Sequence, residues 1–446
     1  MIKHSLLRSV RPHCSKVVQL TLAHRNKSIL SHAASALLSS VKPFESPLSA
    51  AINNASKLIQ PQKPVDDPFS IVSKEMSTLA SNIGKLLGSS HPTLNKFAMY
   101  YFKSEGKHIR PLIVLTLSKA LSEIPLAEKD SGARDESDVK SSSFSSGAED
   151  DLSPLAILHK VNPDVVLNPL SRPMDDFPSE TDGILPKQRR LAEIVEMIHT
   201  ASLLHDEIID NAAAKRVLST GSTAFGNKMA ILAGDFLLGR ASVAIARLKN
   251  AEVIELLSTT ISNLVEGEFM QLDDTSVENS DANRADFEYY IHRTYLKTAS
   301  LMSKSCRASA LLSGARENVV DGCYQFGRNL GICFQIVDDI NDYAKFNSSS
   351  AAASDSVAKR ALKTAPVLFA WEKFPQVGDM IRRQFSHPND IKEIKELVKQ
   401  AQGLEKTKEL ALKYSKDAID QLKVLPDSEA RSALVSLTTT LLDRQR

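Results

Sequence analysis

Asp206 and Asp210 stand four residues apart in "HTASLLHDEIIDNAAAKR" (199–216), where an apolar run ends and a basic pair, Lys215 and Arg216, follows. On a helix, positions i and i+4 share a face, and a rise of about 1.5 Å per residue sets them roughly 6 Å apart. Two bare carboxylates at that spacing repel each other unless a cation lies between them. A second cluster, Asp338, Asp339 and Asp342 in "VDDIND", also closes an apolar run, "GICFQIV". Carboxylates without thiolate or imidazole partners are hard oxygen donors of the kind Mg²⁺ takes, and Mg²⁺ commonly bridges to a substrate phosphate. A lone D-x-x-x-D is most often a solvated helix face. Two clusters, each ending an apolar helix, make a paired metal site the better reading. Facing each other across a bundle, they would form a negative mouth over an apolar interior.

Cations recur in the right company. "EGKHIRP" sets Lys107 and Arg110 one turn apart, Lys215 and Arg216 follow the first acid cluster, "YLKTAS" holds Lys297 and Thr298, and Gln335 precedes Asp338 by one turn. A diphosphate spreads its charge over several oxygens, so it needs metal bridges and fixed donors together. Any one of these residues alone reads as surface charge; their order along the chain argues for a diphosphate site. A di-iron bundle would need paired E-x-x-H motifs. Only Glu196–His199 is present, and that reading is discarded.

The elements that must position these groups read as helices. "SIVSKEMSTLASNIGKLL" from Ser70 places Ile71, Met76, Leu79, Ile83 and Leu86 on one broad face. Helical patterns resume at "KQRRLAEIVEMIHTASLL" and continue to the end, with strand alternation nearly absent. The fold class expected is all-α, a single large bundle of helices apolar over wide faces. Residues 123–187 interrupt the pattern with a polar, serine-rich stretch and then six prolines, and are expected to form one long, largely disordered insertion. Residues 345–360, "KFNSSSAAASDSVAKR", are a second low-complexity stretch.

The totals set limits. Lys+Arg of 55 against Asp+Glu of 53 leaves a net charge of +2, which gives no argument for nucleic acid. No uninterrupted run of about 20 apolar residues occurs, so no membrane span is expected. Cys14, Cys306, Cys323 and Cys333 have no C-x-x-C spacing, which favours buried free thiols in a reducing compartment over a zinc site. Residues 1–44 are basic and serine-bearing with no acid before Glu45, the composition of a mitochondrial transit peptide, and the proline-bearing segment 45–69 reads as a linker to a domain at 70–446.

These motifs resemble the trans-polyprenyl diphosphate synthases, which include farnesyl and geranylgeranyl diphosphate synthases, and most of all the fungal mitochondrial branch that makes the hexaprenyl side chain of ubiquinone. "GKHIRP", "EMIHTASLLHDEIID", "NKMAILAGDFLLGRA", "LVEGEFMQL", "YYIHRTYLKTA", "FGRNLGICFQIVDDINDY" and "TAPVLFAW" occur in the family's order. The resemblance implies an isoprenoid-synthase bundle around an apolar tunnel. It implies condensation of isopentenyl diphosphate onto an allylic diphosphate with Mg²⁺ as cofactor. Lys107, Arg110, His199 and Arg216 then hold isopentenyl diphosphate, and Lys215, Lys297, Thr298 and Gln335 hold the allylic diphosphate. Asp206, Asp210, Asp338, Asp339 and Asp342 hold metal, with Asp206, Asp210, Lys297, Asp338 and Asp339 at the centre of catalysis. Short-chain relatives place aromatic rings at the positions of Ala201 and Ser202, so small residues there imply a long product. The resemblance further implies a homodimer or a hetero-oligomer with a related synthase, on the matrix side of the inner mitochondrial membrane with peripheral contact to it.

Three features depart from the family. Its D-D-x-x-D carries Glu207 in the middle here, Lys215 replaces an arginine and a following glycine is lost, and the basic glycine-containing loop after the second motif becomes the stretch at 345–360, where Lys359, Arg360 and Lys363 remain. Such changes also fit a non-catalytic paralogue that serves as a partner subunit. The active enzyme is the preferred reading because most site residues persist. A class I terpene cyclase is disfavoured, since it would carry an N-S-E type triad where "VDDIND" stands.

Overall fold

The computed structural model describes residues 68–87, 102, 108–125, 183–213, 227–273, 287–348, 364–383, 385–387 and 389–443. Contacts group 65–446 into one folded unit. The helices are α1 (Pro68–Ile71), α2 (Ser73–Leu87), α3 (Ile109–Ser122), α4 (Pro186–Ala213), α5 (Asn227–Ala246), α6 (Ala251–Asp273) and α7 (Phe287–Thr294). A π-helical turn, Tyr295–Ala299, joins α7 to α8 (Ser300–Leu312). Then come α9 (Glu317–Ser348), α10 (Ala365–Lys373), α11 (Gln376–Arg382), α12 (Asp390–Gln400), α13 (Gly403–Gln421) and α14 (Glu429–Asp443). Among the described residues there is no strand, as the sequence pattern requires.

α4 begins where the sequence provides a start. Pro186 occupies the first turn, and the Leu185 N–H donates to the Gln188 side chain at 3.0 Å. Leu191, Ala192, Ile194, Val195, Met197, Ile198, Ala201 and Leu204 are all fully buried, the broad apolar face of a helix enclosed by others. One core joins α2, α4, α5 and α6, and a second joins α3, α8, α9, α13 and α14. α5 is long and apolar enough to cross a membrane by composition, yet it packs along α4 with Ala230, Ala233, Leu237 and Ala241 buried. Cys306, Cys323 and Cys333 are buried free thiols, as expected.

Two edges differ from the sequence reading. Helix begins at Pro68, inside the segment read as linker. Residues 123–125 and 183–187, at the margins of the expected insertion, belong to the fold: Ile124 and Ile184 are buried, and Pro186 and Lys187 start α4. Proline and short apolar stretches masked these ends, because periodicity needs several turns to register. The insertion between them, the transit segment and the stretch at 349–363 lie outside the described residues.

Candidate active site

Lys297 and Thr298 sit in the π-helical turn, an irregularity that frequently marks functional positions in helices. Two glycines let neighbouring helices close on it. A Cβ at Gly331 of α9 would lie 2.6 Å from the Ala299 Cα, and one at Gly267 of α6 would lie 3.0 Å from the Lys297 N. Only backbone without side chains permits these approaches. The first brings Gln335 to the turn: the Thr298 hydroxyl donates to Gln335 Oε1 at 2.7 Å, and Gln335 Nε2 donates to Asp339 Oδ1 at 3.1 Å. Buried Tyr290 of α7 donates from its hydroxyl to the other Asp339 oxygen at 2.7 Å. The second approach brings Lys297 Nζ to Glu268 Oε1 at 2.5 Å and to Gln271 Oε1 at 2.8 Å.

The second acid cluster is electrostatically strained. Burial and the neighbouring carboxylates of Asp339 and Asp342 push the Asp338 carboxyl up to about 6. Burial likewise pushes Asp339 up to about 6, against the opposing hydrogen bonds from Tyr290 and Gln335. Asp342 is more open and pairs with Lys345 at 3.3 Å. On α4, Asp206 is partly exposed, with an interaction partner of its own.

Arg110, at the start of α3, links the two acidic helices. Its Nη1 lies 2.7 Å from His199 Nε2 on α4, its guanidinium stands 6.0 Å from the Phe334 ring of α9, and it feels the charges of Glu196 and Asp338. A guanidinium can only donate, so His199 Nε2 accepts and the imidazole carries its hydrogen on Nδ1. Burial, then Arg110 and His108, hold His199 well below its ordinary pKa, and it is neutral. One turn earlier, His108 Nδ1 meets buried Glu196 Oε1 at 2.7 Å. Arg110 Nε and Glu196 Oε2 are buried and make no hydrogen bond.

Of the residues singled out in the sequence, Arg110 and His199 come together, as do Thr298, Gln335 and Asp339 with Lys297 on the same turn. Ala201 is fully buried on α4, and the Ser202 hydroxyl donates to the His199 carbonyl at 2.8 Å. Lys107, Lys215 and Arg216 lie outside the described residues, as do the side chains of Glu207 and Asp210. Among the described residues no group of three or more His, Cys, Asp or Glu side chains is gathered tightly enough to hold a metal ion. The sequence reading missed Tyr290, Glu268, Gln271, Glu196 and His108 as members of this network. Tyr290 meets Asp339, and Glu268 meets Lys297, only through close approaches between helices that no local pattern reveals.

The polyprenyl synthetase family matches residues 171–400. The chain is similar to the probable mitochondrial hexaprenyl pyrophosphate synthase of Yarrowia lipolytica, 64% identical over 403 residues and 89% of each chain. It is similar to the mitochondrial hexaprenyl pyrophosphate synthase of Saccharomyces cerevisiae, 47% identical over 90% of this chain and 96% of that one. The apo form of an Arabidopsis medium/long-chain length prenyl pyrophosphate synthase superposes with a TM-score of 0.57 at 30% identity, over 85% of this chain and 100% of that chain.

Proposed function

The chain belongs to the polyprenyl synthetase family and is a mitochondrial chain-elongating prenyltransferase; we propose that it builds a hexaprenyl diphosphate for the ubiquinone side chain, and that the network above performs the reaction. The observation that supports the assignment of residues is the π-helical turn, from which the Lys297 amine reaches Glu268 and Gln271 of α6 and the Thr298 hydroxyl reaches Gln335 of α9, itself bonded to Asp339.

The donor set fits a divalent cation. Asp338 and Asp339 are held up to about 6 by burial and, at Asp338, by crowding of like charge, an arrangement that a bound cation relieves. Their ligands are all oxygen, which suits Mg²⁺ and its retained waters. Asp206, Asp210, Asp338, Asp339 and Asp342 would hold the ions, which supply charge neutralisation to the allylic diphosphate when bound.

The chain's own groups do the rest. Lys107, Arg110, His199 and Arg216 bind isopentenyl diphosphate, with His199 offering Nδ1–H because Arg110 occupies the other nitrogen. Lys215 and Lys297 take up charge on the allylic diphosphate as its C–O bond breaks, Lys297 swinging from Glu268 and Gln271 to the departing oxygens. Thr298 and Gln335, joined by their hydrogen bond, help to hold the allylic diphosphate. The isopentenyl double bond attacks that cation and forms the new carbon–carbon bond. The proton then lost from the isopentenyl unit passes to the released diphosphate, and the tail, five carbons longer, descends past Ala201.

Purified full-length chain with labelled isopentenyl diphosphate, an allylic primer and Mg²⁺ tests this directly. Elongated products of hexaprenyl length are expected. No incorporation with any primer would overturn the reading and favour the non-catalytic subunit that Glu207, Lys215 and the altered 345–360 stretch also fit.

A further inference from the structure

His108 is held in left-handed backbone, φ 38° and ψ 50°, at the cap of α3, where its side chain makes no capping bond. Left-handed backbone costs any residue with a Cβ some free energy, less for histidine than for most, and surrounding contacts hold it in place. The contact here is the bond from Nδ1 to Glu196 Oε1, across 88 residues of sequence and onto a buried carboxylate. Two residues further on, Arg110 bonds to His199. Glu196 and His199 are i and i+3 on α4. The two bonds are therefore parallel rungs that tie the first turn of α3 to one face of α4.

We propose that His108 is a positioning residue: its ion pair with Glu196 fixes the start of α3 so that Arg110 and His199 present their donors to isopentenyl diphosphate, and the pair makes affinity for that substrate depend on pH. This rests on the functional reading above. Among the described residues, the titratable and charged groups around His108 are Glu196, Arg110 and His199, of which His199 is neutral. The hydrogen bond to Glu196 raises the His108 pKa above its ordinary value, and burial only partly opposes it. A raised histidine pKa means the pair is fully formed at low pH and is lost as pH climbs through the raised value. The neutral imidazole keeps its Nδ1–H on the Glu196 carboxyl group but without the positive charge, so the bond that anchors the α3 start weakens.

His108→Asn is the discriminating variant. Asparagine tolerates left-handed backbone and places a donor near the position of Nδ1, but it does not titrate. In the parent chain, KM for isopentenyl diphosphate should rise about three- to tenfold as pH passes the His108 pKa, as one bond loses its charge assistance, with the effect on KM exceeding that on kcat. In His108→Asn that alkaline rise should vanish. Glu196→Gln should move it to lower pH, and the His108 imidazole carbon resonance, followed by NMR without substrate, should titrate lower by the same displacement. A parent chain that does not bind isopentenyl diphosphate overturns the functional reading and this proposal with it. A parent that binds, with the same alkaline rise in His108→Asn, overturns this proposal alone, as does an imidazole titration unmoved by Glu196→Gln.

Discussion

Gly331→Ala should separate catalysis from folding. The added Cβ would stand 2.6 Å from the Ala299 Cα and 2.7 Å from its Cβ, both parts of a packed turn with no flexible end to yield. Carbon atoms rest at about 3.5–4.0 Å, so α9 and the π-helical turn must part by roughly 1 Å. The 2.7 Å bond from Thr298 to Gln335 lies one helical turn away and stretches past about 3.5 Å, where little of a hydrogen bond remains. Overpacking costs about 1–3 kcal/mol of stability, less up to about 1 kcal/mol returned by the better helix propensity of alanine. Catalysis should suffer more, because a displacement of about 1 Å in a positioning contact can cost on the order of a hundredfold, or about 2.7 kcal/mol in the barrier. Single-turnover rates with saturating substrates and Mg²⁺, beside a thermal melt, measure the two losses separately. A variant that melts lower yet keeps its rate within about threefold would refute the claim that this approach positions Gln335.

Other substitutions probe the rest of the site. Asp206→Ala and Asp338→Ala should each abolish turnover while circular dichroism shows unchanged helix content, and near-parental activity at saturating Mg²⁺ in either would remove the metal assignment. Glu207→Asp combined with Lys215→Arg brings both positions to the family pattern and should raise kcat/KM; a fall would show that the site has adapted around Glu207. Ala201→Phe places a ring in a fully buried position on α4 and should shorten the product to a few isoprene units, whereas an unchanged product length with a lower melting temperature would leave Ala201 a packing residue only.

Much of this was legible in the sequence, and the reason is period. The long apolar faces of α4 and α9 announce buried helices, and acids at their ends announce chemistry there, because both signals are local. The pairing of Arg110 with His199 was legible through the family's motif order and not through any spacing, since 89 residues separate them. What escaped was set by contact between helices. Glu268 reaches Lys297 because Gly267 lets α6 approach the turn, and Tyr290 reaches Asp339 through a tertiary contact across 49 residues. The π-helical turn itself has no compositional mark: "YLKTA" would continue an ordinary helix, and the extra residue per turn is imposed by packing.

The balance of burial and charge bears on whether the altered motifs have ended catalysis. Glu207 and Lys215 keep the charges of the aspartate and arginine they replace, and change reach and geometry. The costly features stand elsewhere. Asp338 and Asp339 are ionisable groups pushed up to about 6 by burial, and Arg110 is lowered by burial with its Nε unbonded. In a subunit that only scaffolds, such groups weaken the fold and return nothing, and apolar or amide replacements would stabilise it. A fold that carries two strained carboxyls, a guanidinium with an orphaned donor and a left-handed histidine, all around one site, has a use for them. We propose that this use is the binding of two diphosphates, which Arg110 and His199 meet directly and the carboxyls of Asp338 and Asp339 meet through divalent cations.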